Sequence, residues 1–330
     1  MRIRSVVAFV NKIVSQIILN PVLLLPLCLF SSFFAYSGEV APQSVAHAMG
    51  NTDIPQQPIR IVTLFQGATD SAIALGLRPI GVVDAWAEKP TYRYLRESLK
   101  GVVHVGLETQ PNLEKIAALH PDLIIGSKSR HEKIYPQLSQ IAPTIFTENV
   151  YNFKRTLALI AKATRHESEE AKLLGQWHSR VTQFRAKLQG NNTKWPITAS
   201  IINVRADHLR LYLQDSFPGM VLKSIGFQFP KANNFAGWGM KLKSKESLPT
   251  INADVFFIIP QSDDPAVQQN YRSWSHHPLW KILNAPRNGE VYIVDRTSWL
   301  LSGGILGANL ILDQLSSLYH LKSEEQSRYL

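Results

Sequence analysis

The sequence predicts an α/β protein of two lobes joined by a long helix, with a ligand cleft between the lobes. Three observations predict it. Short apolar strands alternate with helices before residue 150 and again after residue 196, a pattern that implies parallel sheet. An all-helical stretch from Phe153 to Gln189 separates the two runs. The runs also echo each other. Leu113 to Ile125 resembles Lys245 to Phe257 at a constant offset of 132, and Ala-Leu-Gly-Leu at 74–77 resembles Ser-Ile-Gly-Phe at 224–227. Two such lobes leave a crevice between them, and domain interfaces are preferred ligand sites.

The N-terminus reads as an export signal. Arg2, Arg4 and Lys12 precede an apolar stretch from Ile13 to Tyr36, and Ala35-Tyr36-Ser37 and Ala46-His47-Ala48 are small-residue sites suited to cleavage after Ser37 or Ala48. The alternative is a permanent membrane anchor, because the apolar run is near spanning length. Residues 1–48 are therefore assigned to a signal peptide and leader, and the Ala-, Pro-, Gln- and Ser-rich segment 37–57 to a mobile lead-in. The only cysteine, Cys28, follows the large Leu27. That is the wrong neighbour for lipidation, and the mature chain would carry no thiol, hence no disulfide and no Cys nucleophile.

In the N-terminal lobe, 58–150, the first strand is Ile59 to Leu64. A helix from Thr69 to Leu75 ends at Gly76, which suits a left-handed cap. Strands follow at Pro79–Val83 and Val102–Val105, then a helix at Asn112–Leu119 and a buried strand at Asp122–Ile125. In the connecting segment, 151–190, Ser168-Glu169-Glu170 opens a second helix with acids in its first turn. Its apolar residues Ala171, Leu174, Trp177, Val181, Phe184 and Leu188 recur every three or four positions. At about 22 residues it would span roughly 33 Å, long enough for a strut between lobes. The C-terminal lobe, 191–320, holds strands at Ile197–Val204, Arg210–Leu213, Val255–Ile259 and Val291–Val294, and a final helix at Ile305–Leu318.

The formal net charge is +10, and residues 1–48 hold three basic and one acidic side chain, leaving +8. A basic balance favours anionic partners. No block of five or more Lys and Arg occurs, which argues against nucleic acid. No Walker loop, H-E-x-x-H or G-x-S-x-G is present, so catalytic residues are not assigned and the chain is not read as an enzyme. Ser302-Gly303-Gly304-Ile305-Leu306-Gly307 opens a helix and could hold a phosphate, although close packing explains the glycines equally well. The ten histidines form no metal set.

The candidate ligand-binding residues are those placed just beyond strand C-termini, where ligands sit in open α/β sheets. Arg130 follows the strand Asp122–Ile125, and Arg205 follows Val204 in the second lobe. The planar fork of arginine suits carboxylate or hydroxamate oxygens. Trp86, Trp238 and Trp299 lie on loops near further strand ends and would pack an organic frame. Trp280, on a helix, reads as core.

At these residues the chain resembles the periplasmic ferric-siderophore-binding proteins of ABC importers, the group that includes ferrichrome-, ferric-citrate- and vitamin B12-binding proteins. The resemblance runs from Pro58 to Leu318. It is carried by Leu75-Gly76-Leu77-Arg78-Pro79-Ile80-Gly81-Val82, Val105-Gly106-Leu107-Glu108-Thr109-Gln110-Pro111-Asn112, His120-Pro121-Asp122-Leu123, Ile141-Ala142-Pro143-Thr144, Pro278-Leu279-Trp280 and Trp299 with Gly303-Gly304, in that order and spacing. It implies two Rossmann-like lobes, a shallow cleft lined by arginines and aromatics, small closure and a monomer. It further implies a periplasmic location, a ferric siderophore as ligand and membrane permease subunits as partners. Iron would travel inside the siderophore, so no cofactor and no protein metal ligand are expected. Family members dock through one acid per lobe. The first acid beyond the strand Asp122–Ile125 is Glu132, and the internal offset carries it onto Asp264, beside Asp263.

The resemblance also bears on the cargo. Ferrichrome binders carry an arginine where this chain has Glu108, and a tyrosine near Arg130. Ser129-Arg130-His131-Glu132 instead resembles binders of citrate-type siderophores, and a carboxylate-rich complex matches the basic charge. Cobalamin or haem is the alternative cargo, and a secreted α/β hydrolase the alternative class.

Overall fold

The chain folds around two β-sheets. The computed structural model describes residues 42–55, 57–190, 195–233 and 235–321. The apolar stretch Ile13–Tyr36, Cys28 and Ser37 lie outside them. The strands and helices come in this order: β1 (Gln43–His47), β2 (Gly50–Ile54), β3 (Ile61–Thr63), α1 (Gln66–Ala74), β4 (Gly81–Asp84), β5 (Val103–Leu107), β6 (Gln110–Pro111), α2 (Leu113–Ala118), β7 (Leu123–Ser127), α3 (Lys128–His131), α4 (Tyr135–Ile141), β8 (Thr144–Thr147), α5 (Phe153–Thr164) and α6 (Glu167–Gly190). The second half continues with β9 (Ala199–Val204), β10 (Leu209–Tyr212), α7 (Phe217–Ile225), β11 (Gly239–Leu242), β12 (Val255–Pro260), α8 (Pro265–Ser275), α9 (Pro278–Lys281), α10 (Asn284–Asn288), β13 (Val291–Ile293) and α11 (Ile305–Leu318).

The first sheet has the order β6-β5-β4-β3-β7-β8 and is parallel except for the short β6. Its inner strands β3 and β7 are buried along their whole length, which is why they read as short apolar runs. The second sheet, β11-β10-β9-β12-β13, departs from the predicted all-parallel arrangement. Strand β10 runs antiparallel to both β9 and β11. Only Arg205 to His208 separates β9 from β10, too few residues for a parallel crossover. Strands β9, β12 and β13 remain parallel.

The predicted helices form with the expected punctuation. Gly76 and Gly226 adopt the left-handed backbone after α1 and α7, at φ +80° and +106°. The Asn152 side chain accepts from the Arg155 N–H at 3.1 Å to cap α5. Helix α6 runs 24 residues and buries Trp177, Val181, Phe184 and Leu188 along one stripe. It is braced as well as packed: the Trp177 indole donates to the Ser224 hydroxyl at 2.9 Å, and Arg180 pairs with Asp313 of α11. One hydrophobic cluster contains Ile125 and Ile145 of the first sheet, Phe153 and Ile160 of α5, Trp177 of α6, Ile201 and Phe257 of the second sheet and Ile311 of α11. The two sheets thus share one core.

Within the segment read as a mobile lead-in, residues 43–54 form a folded hairpin. β1 and β2 pair antiparallel, and Val45 is fully buried in the shared core. The hairpin lies along β8, the open edge of the first sheet. The Ala48 N–H donates to the Phe146 carbonyl at 2.9 Å, the Phe146 N–H to His47 Nδ1 at 3.2 Å, and the Thr52 hydroxyl to the Thr144 carbonyl at 2.8 Å. Covering an edge strand removes a row of unpaired backbone groups. The sequence signal was misread because β2 opens with Gly50-Asn51-Thr52, residues typical of turns, and only one side chain of β1 enters the core.

Candidate functional site

Where the strand ends of the two sheets face each other there is a cleft of about 350 Å3. From the first sheet it receives Gln66 and Gly67 after β3, Trp86 after β4, Glu108 after β5, Arg130 after β7 and Tyr151 after β8. From the second it receives Arg205 after β9, Arg210 and Tyr212 on β10, Trp238 before β11 and Gln261 after β12. Its floor includes Leu300 to Gly303. This is the position that parallel α/β topology assigns to ligands.

Four of the predicted binding residues, Trp86, Arg130, Arg205 and Trp238, line this one cleft. Arg130 and Arg205 enter it from opposite sheets, 75 residues apart in sequence. Asn203 orients Arg205. Its amide donates to the Ile259 carbonyl at 2.9 Å, so its oxygen faces Arg205 and accepts from Nε at 3.1 Å. Trp86 is 47% exposed, and its indole N–H donates to Glu108 at 3.2 Å.

Trp299 is not a cleft residue. It is fully buried, its ring 4.7 Å from that of Phe257 and its indole N–H bonded to the Gln314 side chain at 2.7 Å. The π-helical turn Thr297–Leu301 turns Trp299 into the core while its neighbours Leu300 and Leu301 reach the cleft. Trp280 is buried against Phe256, as predicted.

Several cleft residues escaped the sequence reading. Arg210 lies in a strand that was identified, and the alternation Leu209-Arg210-Leu211-Tyr212 puts Arg210 and Tyr212 on one face. That period was the available signal. Arg210 packs its guanidinium carbon 5.0 Å from the Trp238 ring centre. Tyr151 also stacks on Trp238, at a centroid distance of 5.8 Å. Burial pushes the Tyr212 hydroxyl up to about 12, so it meets a ligand as a neutral donor. Glu108, 4% exposed, is the acid of the cleft. Its carboxylate lies 3.3 Å from Arg130 Nε. Burial raises its pKa, opposed by the Arg130 charge and by the Trp86 hydrogen bond.

In the run Ser129 to Glu132, neighbouring side chains have different surroundings. Arg130 enters the cleft, whereas His131 is buried and bonds the Glu108 carbonyl through Nε2 at 2.7 Å. Its Nδ1 accepts from the Ser127 N–H at 3.1 Å, so the ring is the neutral Nε2–H tautomer. Glu132 is exposed and does not line the cleft, and the same holds for Asp264, which caps α8 by accepting from the Ala266 N–H at 2.8 Å. The Gly-rich start of α11 does hold an anion, supplied by the chain. The Asp70 carboxylate accepts from the Leu306 and Gly307 N–H groups, each at 2.9 Å. A Cβ at Gly304 would fall 2.1 Å from Asp70 Oδ1, so this close approach requires the glycine. Among the described residues no group of three or more His, Cys, Asp or Glu side chains could hold a metal ion.

Comparison with known proteins agrees with this architecture. Residues 61–297 match the periplasmic binding protein family. The chain is 50% identical over 261 residues to the achromobactin-binding periplasmic protein of Dickeya dadantii, covering 78% of this chain and 86% of that one. It is 32% identical over 264 residues to the Fe(3+)-citrate-binding protein YfmC of Bacillus subtilis, covering 78% and 79%. Its fold superimposes on Staphylococcus aureus SirA complexed with staphyloferrin B at a TM-score of 0.82 and 38% identity, covering 85% of this chain and 99% of that one. With a site at the strand ends, a core shared by two α/β sheets and this match over most of its length, the chain belongs to the periplasmic binding protein family.

Proposed function

We propose that this protein is the substrate-binding component of an ABC-type importer. It acts in the periplasm, captures an iron(III) siderophore of the citrate or other carboxylate-rich type, and passes it unchanged to a membrane permease. One observation carries the reading: Arg130 from the first sheet and Arg205 and Arg210 from the second converge on a single cleft walled by Trp86, Tyr151 and Trp238. Guanidinium groups bond carboxylate oxygens in pairs, and the aromatic faces cover the apolar frame that links those carboxylates. The siderophore surrounds the iron, so the protein needs to recognise only the outer shell of the complex.

The relatives support this cargo. One is named for achromobactin, another for ferric citrate, and the structure of SirA contains staphyloferrin B. The expected behaviour is quenching of tryptophan fluorescence by ferric citrate, ferric achromobactin or ferric staphyloferrin B. Ferrichrome, haem and cobalamin should be bound weakly or not at all. A preference for haem or cobalamin would overturn the assignment.

A further inference from the structure

Glu108 is an anomaly in a cleft built to hold anions. It is nearly buried, yet both of its oxygens are engaged with residues that face the ligand space. Oε1 lies 3.3 Å from Arg130 Nε. Oε2 accepts from the Trp86 indole N–H at 3.2 Å and from the Gln66 backbone N–H at 3.4 Å. Its backbone is fixed as well, because His131, the residue after Arg130, donates to the Glu108 carbonyl at 2.7 Å. Loop 108 and loop 130–131 are thus joined twice.

We infer that Glu108 is a positioning residue. Its carboxylate holds Arg130 by Nε and Trp86 by its indole N–H, so that the guanidinium fork and the indole face are set before an anionic ligand arrives. This rests on the ligand class proposed above. Arginine carries five N–H donors. With Nε beside Glu108, the four on the terminal nitrogens have no hydrogen-bond partner among the described residues and are left for a ligand carboxylate in the cleft that Arg130 lines. Fixing a flexible side chain beforehand removes part of the ordering cost of binding. Both carboxylate oxygens are engaged by protein groups, so Glu108 acts through its neighbours.

The proposal has a distinctive sign. By charge alone, an acid beside the ligand repels an anion, so neutralising Glu108 would tighten binding. By positioning, neutralising it weakens binding. Glutamine has one acceptor oxygen and one NH2 group. Because Arg130 meets Oε1 and Trp86 meets Oε2, the NH2 group turns a donor toward one of them.

The test is fluorescence titration of the wild type, Glu108→Gln, Arg130→Ala and the double variant with ferric citrate, ferric achromobactin and ferric staphyloferrin B. Expected is at least a ten-fold loss of affinity for Glu108→Gln, and little further loss when Glu108→Gln is added to Arg130→Ala, since coupled residues are not additive. Glu108→Asp keeps the charge but withdraws the carboxylate by one methylene, and should also weaken binding. It serves as the second variant if Glu108→Gln melts at a markedly lower temperature. Unchanged or tighter binding by a folded Glu108→Gln, with Arg130→Ala still weakened, overturns the positioning role and leaves the ligand class standing. Failure of the wild type to bind any of the three complexes overturns both.

Discussion

Tyr151, which follows the last strand of the first sheet, stacks on Trp238 of the second at a centroid distance of 5.8 Å and an interplanar angle of 21°. This contact closes one side of the cleft from both sheets, and Arg210 lies against the same indole. Aromatic pairs contribute about 0.5–1.5 kcal/mol beyond area burial, and a partly exposed cation–π contact about 0.5–1 kcal/mol. Trp238→Ala releases both. Its expected effect is a loss of siderophore affinity of roughly ten-fold, at about 1.4 kcal/mol per decade. Because both contacts exist without ligand, the melting temperature should also fall by a few degrees. Titration and thermal unfolding of the same sample check both halves.

Arg130 and Arg205 give a second expectation. Charge-assisted hydrogen bonds contribute about 1.5–3 kcal/mol each. Arg130→Ala and Arg205→Ala should each weaken binding by about ten- to a hundred-fold. Trp299 supplies the contrast, because it is core. Trp299→Ala should cost about 3–5 kcal/mol of stability, while Trp86→Ala should leave the melting temperature near that of the wild type and reduce affinity. If Trp299→Ala leaves the melting temperature unchanged, its assignment to the core is wrong.

Trp86, Arg130 and Arg205 were legible because strand C-termini can be located from apolar runs, and topology fixes which loops face the crevice; Trp238 was legible because it sits on a Gly-rich loop. Trp299 follows a strand end too, yet the π-helical turn Thr297–Leu301 puts it in the core and Leu300 and Leu301 in the cleft, and no sequence period reports that. Arg210 and Tyr212 were hidden by the assumption of a parallel strand, which moved attention to its end and away from its face. Glu108 was noticed as a departure from relatives. Its role depends on Arg130 and Trp86, neither of them a sequence neighbour, and emerges only from the folded geometry. The hairpin β1–β2 was missed because its stability comes from pairing along β8, a contact about 95 residues away in sequence.

Of the two expected cleavage sites, we propose that the one after Ser37 is used, because of that hairpin. Cutting after Ala48 would sever β1 from β2, expose Val45's pocket and remove the His47 acceptor that the Phe146 N–H uses. Processing should therefore leave Gln43 attached, which is compatible with cleavage after Ser37. N-terminal sequencing of the exported protein checks this. A chain lacking residues 1–48 should also be destabilised relative to one lacking residues 1–37, by at least the 1–3 kcal/mol of an unsatisfied buried group. Equal melting temperatures would contradict the structural role given to β1.

Asp70 couples stability to pH. Burial raises its carboxyl to about 6, against the downward pull of the Leu306, Gly307 and Tyr94 hydrogen bonds. A raised folded-state value means that the folded protein holds this proton more tightly than the unfolded chain. The contribution is complete below the unfolded value near 3.8 and is lost as pH rises through about 6. Between pH 7.5 and 5 the gain is about 1 kcal/mol, a few degrees in melting temperature for a chain of this size. Asp70→Asn cannot titrate. The melting temperature of the wild type minus that of Asp70→Asn should therefore increase as pH falls from 7.5 to 5. A difference that stays flat would show that Asp70 does not titrate in this window.

The last expectation concerns hand-over to the permease. We propose Glu132 and Asp264 as the docking pair, one acid per lobe, as the resemblance to siderophore-binding proteins implies. Both are exposed and neither lines the cleft. They also occupy matching places, Glu132 five residues beyond β7 and Asp264 four beyond β12, so they would present similar charges on the two lobes. Rim charges act chiefly on association rate and salt dependence. Asp264 has a structural duty as well, since it caps α8. Loss of an N-cap costs about 0.5–2 kcal/mol, and Asp264→Ala would confuse docking with stability. Asparagine caps as well as aspartate, so Asp264→Asn with Glu132→Gln removes only the charges. The double variant should titrate its siderophore like the wild type, melt at the same temperature, and yet support markedly slower uptake of labelled iron into cells, with a weaker dependence on salt. Normal uptake would exclude these two acids as the docking pair, and lost affinity in the titration would place them in the binding site instead.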